Sequence, residues 1–363
     1  MNIFIQKLKK HLPKPIKNLL KPIYHVAIKG YKKYRSLFYK NRLADELSRF
    51  DVEAEINDLP EIFHYWSNKY LVPKLSEFGF NNPDEFFLKY AKQAIKNNPG
   101  YISILSIGAG NCDTEVALAK NLTALGYQKF IIDCMDINQQ MFERGKELAA
   151  SQGVADKLAF LPADFNRWEA SKQYALIIAN QSLHHVVELE HLYENIELAL
   201  TDQGKFITSD VIGRNGHQRW PEALDLLKPI WKNMPARYKH NHAMQRFEKK
   251  YINHDCSTEG FEGIRAQDVL PLLIEKFDFE LFIPFANLIM IFIDRPFGPN
   301  FDHANPEDLA FIDRIHQLDE MHMINGDIKP TQMLAAMNKK SVVENQTIYS
   351  QMSPKEAIRL PTN

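Results

Sequence analysis

One stretch limits the folds open to this 363-residue chain more than any other. An apolar run from Tyr101 to Ile107 leads straight into Gly108-Ala109-Gly110, and a helical pattern follows from Thr114 to Leu125. A buried strand that turns on glycines into a helix is the opening unit of a parallel sheet, because parallel strands need a crossover and a helix supplies it. The alternation then continues with strand Lys129 to Met135, helix Gln139 to Gln152, strand Leu158 to Pro162, strand Tyr174 to Asn180, helix Leu189 to Ala199 and strand Gly204 to Asp210. A doubly wound α/β sheet is predicted. Farther on come a helix from Ala266 to Lys276 and two closing strands, Phe279 to Pro284 and Leu288 to Ile293. The interval from Ile212 to Ile264 is too long for a plain loop, so it is predicted to hold helices of its own and to cap a pocket.

The glycine turn sits where backbone amides at a helix N-terminus meet a ligand without a Cβ in the way. A dinucleotide-binding turn places a third glycine three residues after the second, and that position is Asp113, whose charge opposes a pyrophosphate. The next strand ends at Asp136-Ile137, where a carboxylate can accept both hydroxyls of a ribose. The third ends at Asp164-Phe165, which offers an acceptor for an adenine amino group and a ring to stack on the base. The fourth ends at Asn180-Gln181-Ser182-Leu183-His184-His185.

These four motifs, each at the carboxyl end of a strand and in this order, resemble those of the class I S-adenosylmethionine-dependent methyltransferases of the bacterial small-molecule and glycan type. The resemblance covers about residues 100–295. It implies a Rossmann-like doubly wound sheet of seven strands with the last antiparallel, a helical N-terminal extension, and a cap inserted after strand five. It also implies that S-adenosylmethionine is held by Ile107, Gly108, Ala109, Gly110, Asn111, Asp136, Ile137, Asp164, Phe165 and Asn180. Two positions depart from the family: Ser106 stands where an acidic residue is common, and Cys112 where the third glycine is common.

Methyl transfer from a sulfonium needs positioning and an acceptor free of its proton. For a hydroxyl acceptor, an imidazole is a suitable general base. His184 and His185 are the candidates, with Asp210 at the end of strand five, followed by His217 and Trp220, as a second cluster. The fourth strand lacks the Asn/Asp-Pro-Pro-aromatic run of nitrogen-methylating enzymes. Oxygen methylation of a small molecule, sugar or glycolipid is therefore expected. The aromatic residues Trp220, Trp231, Tyr238, Phe247, Tyr251 and Phe261 are expected to stack on the acceptor. His240, His242, His254, Asp255 and Cys256 lack a ligand spacing and read as a polar lid, so no metal site is expected.

Twelve of the chain's 44 basic residues fall in residues 1–44, which hold no acidic residue, leaving 32 basic against 45 acidic elsewhere. Such an arm calls for an anionic partner, and its leucine and isoleucine stripes suit peripheral contact with an anionic membrane at the inner face. Nucleic acid is not expected, because aromatic and basic residues do not recur together in the body. The start lacks the uninterrupted apolar core and cleavage site of a secretory signal, and the three cysteines have no paired spacing, so a cytoplasmic protein is expected. The predicted layout is a basic amphipathic arm (1–45), a helical preface (46–98), the methyltransferase domain (99–295, with the cap at about 212–264), a C-terminal helical extension (296–340) and a polar tail (341–363). Two other readings compete: a nicotinamide-dependent oxidoreductase on the same turn, and a non-catalytic membrane-recruited scaffold.

Overall fold

The computed structural model describes residues 39–44, 46, 47, 59–258, 260–341 and 347–359. The basic arm expected at residues 1–45 lies mostly outside these. A mixed sheet forms the centre. Its strands are β1 (Ile102–Ile107), β2 (Phe130–Asp136), β3 (Leu158–Pro162), β4 (Tyr174–Asn180), β5 (Leu200–Val211), β6 (Phe277–Phe285), β7 (Gln332–Lys339) and a two-residue edge strand β8 (Ile348–Tyr349). The order across the sheet is β8-β6-β7-β5-β4-β1-β2-β3. All neighbours pair parallel except β7, which runs antiparallel to both β5 and β6. Every residue of β4 but the last is buried, as in a central strand covered on both faces.

Helices cover those faces. α1 (Glu61–Trp66) passes through a wide π turn, Ser67–Leu71, into α2 (Val72–Ser76). Pro73 has no N–H to continue the regular ladder there, and the wide turn accommodates it. α3 (Pro83–Asn97) starts at Asn82, whose side chain accepts from the Glu85 amide, and lays Phe86, Phe87, Tyr90 and Ala91 toward the sheet. α4 (Asp113–Ala124), α5 (Gln139–Ser151), α6 (Leu189–Ala199) and α8 (Ala266–Lys276) are the crossovers, and α7 (Pro221–Asn233) lies within the interval after β5. That interval also carries a small hairpin, His240–Asn241 with Arg246–Phe247.

Two expectations are corrected. Leu288 to Ile293 does not form the last strand; Ile289–Ile293 is a short buried helix, α9. A continuous apolar run reads alike as a buried strand and a buried helical turn. The deciding group lies elsewhere in the chain: Asp319, on α10 (Pro306–Ile324), is fully buried and accepts the amides of Asn287 and Leu288 at 2.8 Å. The antiparallel strand is β7, which carries Ala335 and Ala336 in place of the β-branched residues that mark a strand. The sheet thus extends past the boundary expected at residue 295.

The aromatic residues of the cap are also placed differently. Trp231 is buried against Tyr251, Phe292 and Phe297, and Tyr238 stacks on Phe301 and Phe311. Burying such large rings stabilises the cap by joining it to α9 and α10. Trp220 lies beneath the Arg359 guanidinium, 4.3 Å from the ring centre. Trp231 and Tyr238 are thus packing residues of the cap, whereas Phe247 is exposed.

Candidate active site

The carboxyl ends of β1, β4 and β5 meet at one edge. Ser182, just past β4, donates its hydroxyl to the Ile107 carbonyl at 2.7 Å. A Cβ on Gly108, where φ is +73°, would lie 2.5 Å from the Ser182 Cβ, so only glycine lets the two strand ends cross. The Gly108 and Ala109 amides donate to the Met135 carbonyl at 2.8 and 3.0 Å. Asp136 accepts the Gly110 amide at 2.9 Å on one oxygen and the Asn138 amide at 2.9 Å on the other. Burial pushes its carboxyl above the ordinary carboxylate value, opposed by those amides. The glycine turn is thereby fastened to the acidic tip of β2, with half-buried Ile137 beside it.

At the other predicted positions, Asn111 accepts from the Arg144 guanidinium at 2.8 Å and Asn180 donates to the Thr114 hydroxyl at 3.2 Å. Phe165 packs against the core. Asp164 is engaged from an unexpected direction: the Tyr39 hydroxyl reaches both its oxygens at 2.8 Å. Residues 39–44, 46 and 47 are helical and lie over the strand ends, with Arg42 donating to the carbonyls of Ser257 and Gly260 at 2.6 and 2.7 Å. Ser106 donates to Glu115, a fully buried carboxyl that burial lifts to about 7. Cys112 takes a left-handed φ of 61°, the conformation that makes glycine common there.

The histidines follow in a short turn, Leu183–His185. Asp210 is buried and accepts four donors: the amides of Ser182 (2.9 Å), Leu183 (2.7 Å) and Val211 (2.8 Å), and His184 Nδ1 (2.7 Å). With its oxygens so engaged, Asp210 holds His184 in place. His184 Nε2 lies 3.4 Å from Glu262 Oε1. Burial lowers the His184 pKa, but Asp210 and then Glu262 outweigh it and lift the imidazole to about 10. His185 Nδ1 pairs with Glu46 at 2.8 Å, and its Nε2 lies 3.7 Å from Glu262 Oε2. His217 Nε2 also bonds Glu262 Oε1. Burial raises the Glu262 carboxyl, but the charges and hydrogen bonds of His185, His184 and His217 hold it far below the usual range.

The sequence offered His184 and His185 as one cluster and Asp210 with His217 as another; the structure joins His184 to Asp210 and both histidine clusters to Glu262, and the sequence reading named neither Glu46 nor Glu262. Neither belongs to a strand-end motif. The available signal for Glu262 was its place between Gly260 and Gly263 in an otherwise long polar interval.

Residues 101–273 match the family model described as a methyltransferase domain. Sarcosine/dimethylglycine N-methyltransferase of Aphanothece halophytica is 25% identical over 139 residues, 36% of this chain and 48% of that protein, so the chain spans about half the length of that curated relative. Among solved structures, an O-methyltransferase from a trans-AT polyketide synthase multienzyme of Brevibacillus brevis, in complex with S-adenosyl-L-homocysteine, is 14% identical. It covers 78% of this chain and 80% of its own, with a TM-score of 0.40. The plantazolicin methyltransferase BpumL in complex with SAH is 12% identical, covering 85% of this chain and 99% of its own, with a TM-score of 0.40. The match over 101–273 takes in the glycine turn, the acidic strand tips and the histidine turn described above, and this part of the chain is a methyltransferase domain of the S-adenosylmethionine-dependent kind.

Proposed function

We propose that the protein transfers the methyl group of S-adenosylmethionine to a hydroxyl oxygen of a small molecule or glycan, with His185 as the general base. The observation that supports this most is the Glu46–His185 pair at the carboxyl edge of β4. Burial raises the Glu46 carboxyl, yet the His185 hydrogen bond and charge and the Phe261 amide bring it below its ordinary value. An ionised Glu46 can only accept, so His185 Nδ1 donates and Nε2 is left as the basic atom. His184, lifted to about 10, already holds its proton at neutral pH and serves as a fixed charge, with Asp210 as its positioning residue. The cofactor lies, in this reading, across Ile107, Gly108, Ala109, Gly110, Asn111, Asp136, Ile137, Asp164, Phe165 and Asn180.

An oxygen acceptor is favoured over an amine because a cluster of imidazoles and carboxylates suits removal of a hydroxyl proton, whereas a neutral amine attacks with its lone pair. The test is methyl transfer from labelled S-adenosylmethionine to a panel of hydroxylated small molecules and saccharides, with sarcosine and dimethylglycine as amine counterparts. His185→Ala should lower turnover roughly 10²- to 10⁴-fold and leave S-adenosylhomocysteine affinity unchanged. Methylation of the amines alone, or wild-type turnover in the variant, overturns the reading. For the basic arm we propose contact with an anionic surface, tested by co-sedimentation with phosphatidylserine vesicles at rising salt. Arg42, committed to the Ser257 and Gly260 carbonyls, takes no part in it.

A further inference from the structure

The geometry points to a divalent transition-metal site made by His184, His217 and Glu262, with His185 at its rim. Nε2 of His184, Nε2 of His217 and a Glu262 oxygen all lie within 4.8 Å of one another. The His184–Glu262 separation of 3.4 Å matches the edge of a tetrahedron whose metal–ligand bonds are about 2.1 Å, and His217, which hydrogen-bonds the same Glu262 oxygen directly, draws back to admit the ion. Two imidazoles and one carboxylate form a donor set that leaves positions open for a substrate oxygen.

The surroundings are those of ligands, not of a chance surface pairing. A metal-binding histidine almost always gives its other ring nitrogen to a carboxylate or carbonyl, which fixes its tautomer and its aim. His184 does so through Nδ1 to Asp210 at 2.7 Å, and neighbouring His185 does so to Glu46 at 2.8 Å. Both histidines thus turn Nε2 toward Glu262. His217 and Glu262 are brought together by a backbone lock: the Gly216 amide donates to the Gly263 carbonyl at 2.8 Å. A Cβ on Gly216 would lie 1.9 Å from an Asp255 oxygen. His217 itself adopts a φ of +56°, a left-handed conformation that strains a residue with a side chain. Such strain persists where the surroundings impose it, and here it aims an imidazole at the cluster. Three carboxylates, Asp210, Glu46 and Glu262, face the three imidazoles. In the metal-free cluster the His184 proton offsets part of this negative charge, and a bound divalent cation takes its place. On binding, His184 releases its proton to solvent. The imidazole content selects zinc, iron, cobalt or nickel over magnesium and calcium.

The inference rests on the proposed oxygen acceptor only for what would complete the coordination: the acceptor hydroxyl beside His185. The metal site itself is tested without turnover. Full-length protein stripped with EDTA is titrated with CoCl2 and with ZnCl2, following cobalt absorption bands and calorimetric heat, while S-adenosylhomocysteine binding is measured on the same sample. The expected result is one equivalent of metal per chain. It should be lost in Glu262→Gln and in His217→Ala, weakened 10- to 100-fold in Asp210→Asn, and unchanged in His242→Ala, whose ring bonds Asn300 outside the cluster. Circular dichroism melts identify variants that fail to fold, and His217→Gln replaces any that do. Less than a tenth of an equivalent on folded protein, or equal binding in folded Glu262→Gln, overturns the site. Metal binding with no oxygen methylation would reject the proposed function and leave the metal site standing. Oxygen methylation by folded protein that takes up less than a tenth of an equivalent of metal would do the reverse.

Discussion

Glu115 shows how a single buried carboxyl ties stability to pH. Burial lifts it to about 7 from an ordinary value of 4.5, so the folded chain holds a proton there that the unfolded chain has released. Between pH 4.5 and 7 the native state binds more protons, and stability therefore falls as pH rises through that window. The full effect is on the order of 3 kcal/mol. Denaturation midpoints measured from pH 4.5 to 7.5 should fall more steeply in the wild type than in Glu115→Gln, and identical slopes would remove Glu115 as the cause. At Gly108 the expectation is structural: Gly108→Ala forces its Cβ against Ser182 and should cost about 1–3 kcal/mol and most of the cofactor affinity, read by thermal melting and calorimetry. The residues of the strand tips were legible because each follows an apolar run directly. Glu46 and Glu262 were not, since nothing in their local pattern points to His184 and His185, and only the folded chain places them there.

At the scale of elements, β1 to β5 and their crossovers were readable because parallel buried strands are continuous apolar runs, and the observed ends of β3 and β4 fall where the pattern stops. The last third was harder. α9 is capped from Asp319, thirty residues downstream, and β7 is set by pairing with β5 and β6 on both sides. Asp319→Ala leaves the buried amides of Asn287 and Leu288 without an acceptor and should cost about 2–4 kcal/mol in urea denaturation. A wild-type midpoint in that variant would show that the cap contributes nothing. The role of β7 has its own test. A chain ended at residue 295 exposes an unpaired edge on both β5 and β6 and should aggregate or melt without cooperativity, whereas one ended at residue 341 keeps the seven-stranded sheet and a cooperative transition. A soluble, cooperatively melting 1–295 chain would contradict the topology.

Over the whole molecule, the sheet order, the crossed strand ends and the overlying helical residues 39–44, 46 and 47 bring every candidate residue to one edge of the sheet. No helix among the described residues is long and apolar enough to cross a membrane. Asp113 at the third-glycine position and Asp136 bound to the Gly110 amide make this edge suited to a ribose and a neutral linkage, not to a pyrophosphate. The measurement that tests this most directly is calorimetric titration of the full-length protein with S-adenosylhomocysteine and, separately, with NAD. The expected result is one equivalent of S-adenosylhomocysteine and no NAD, with binding strongly weakened in an Asp136→Ala variant that retains the wild-type melt, each charge-assisted hydrogen bond lost being worth about 1.5–3 kcal/mol. Binding of NAD, or undiminished S-adenosylhomocysteine affinity in folded Asp136→Ala, would contradict it.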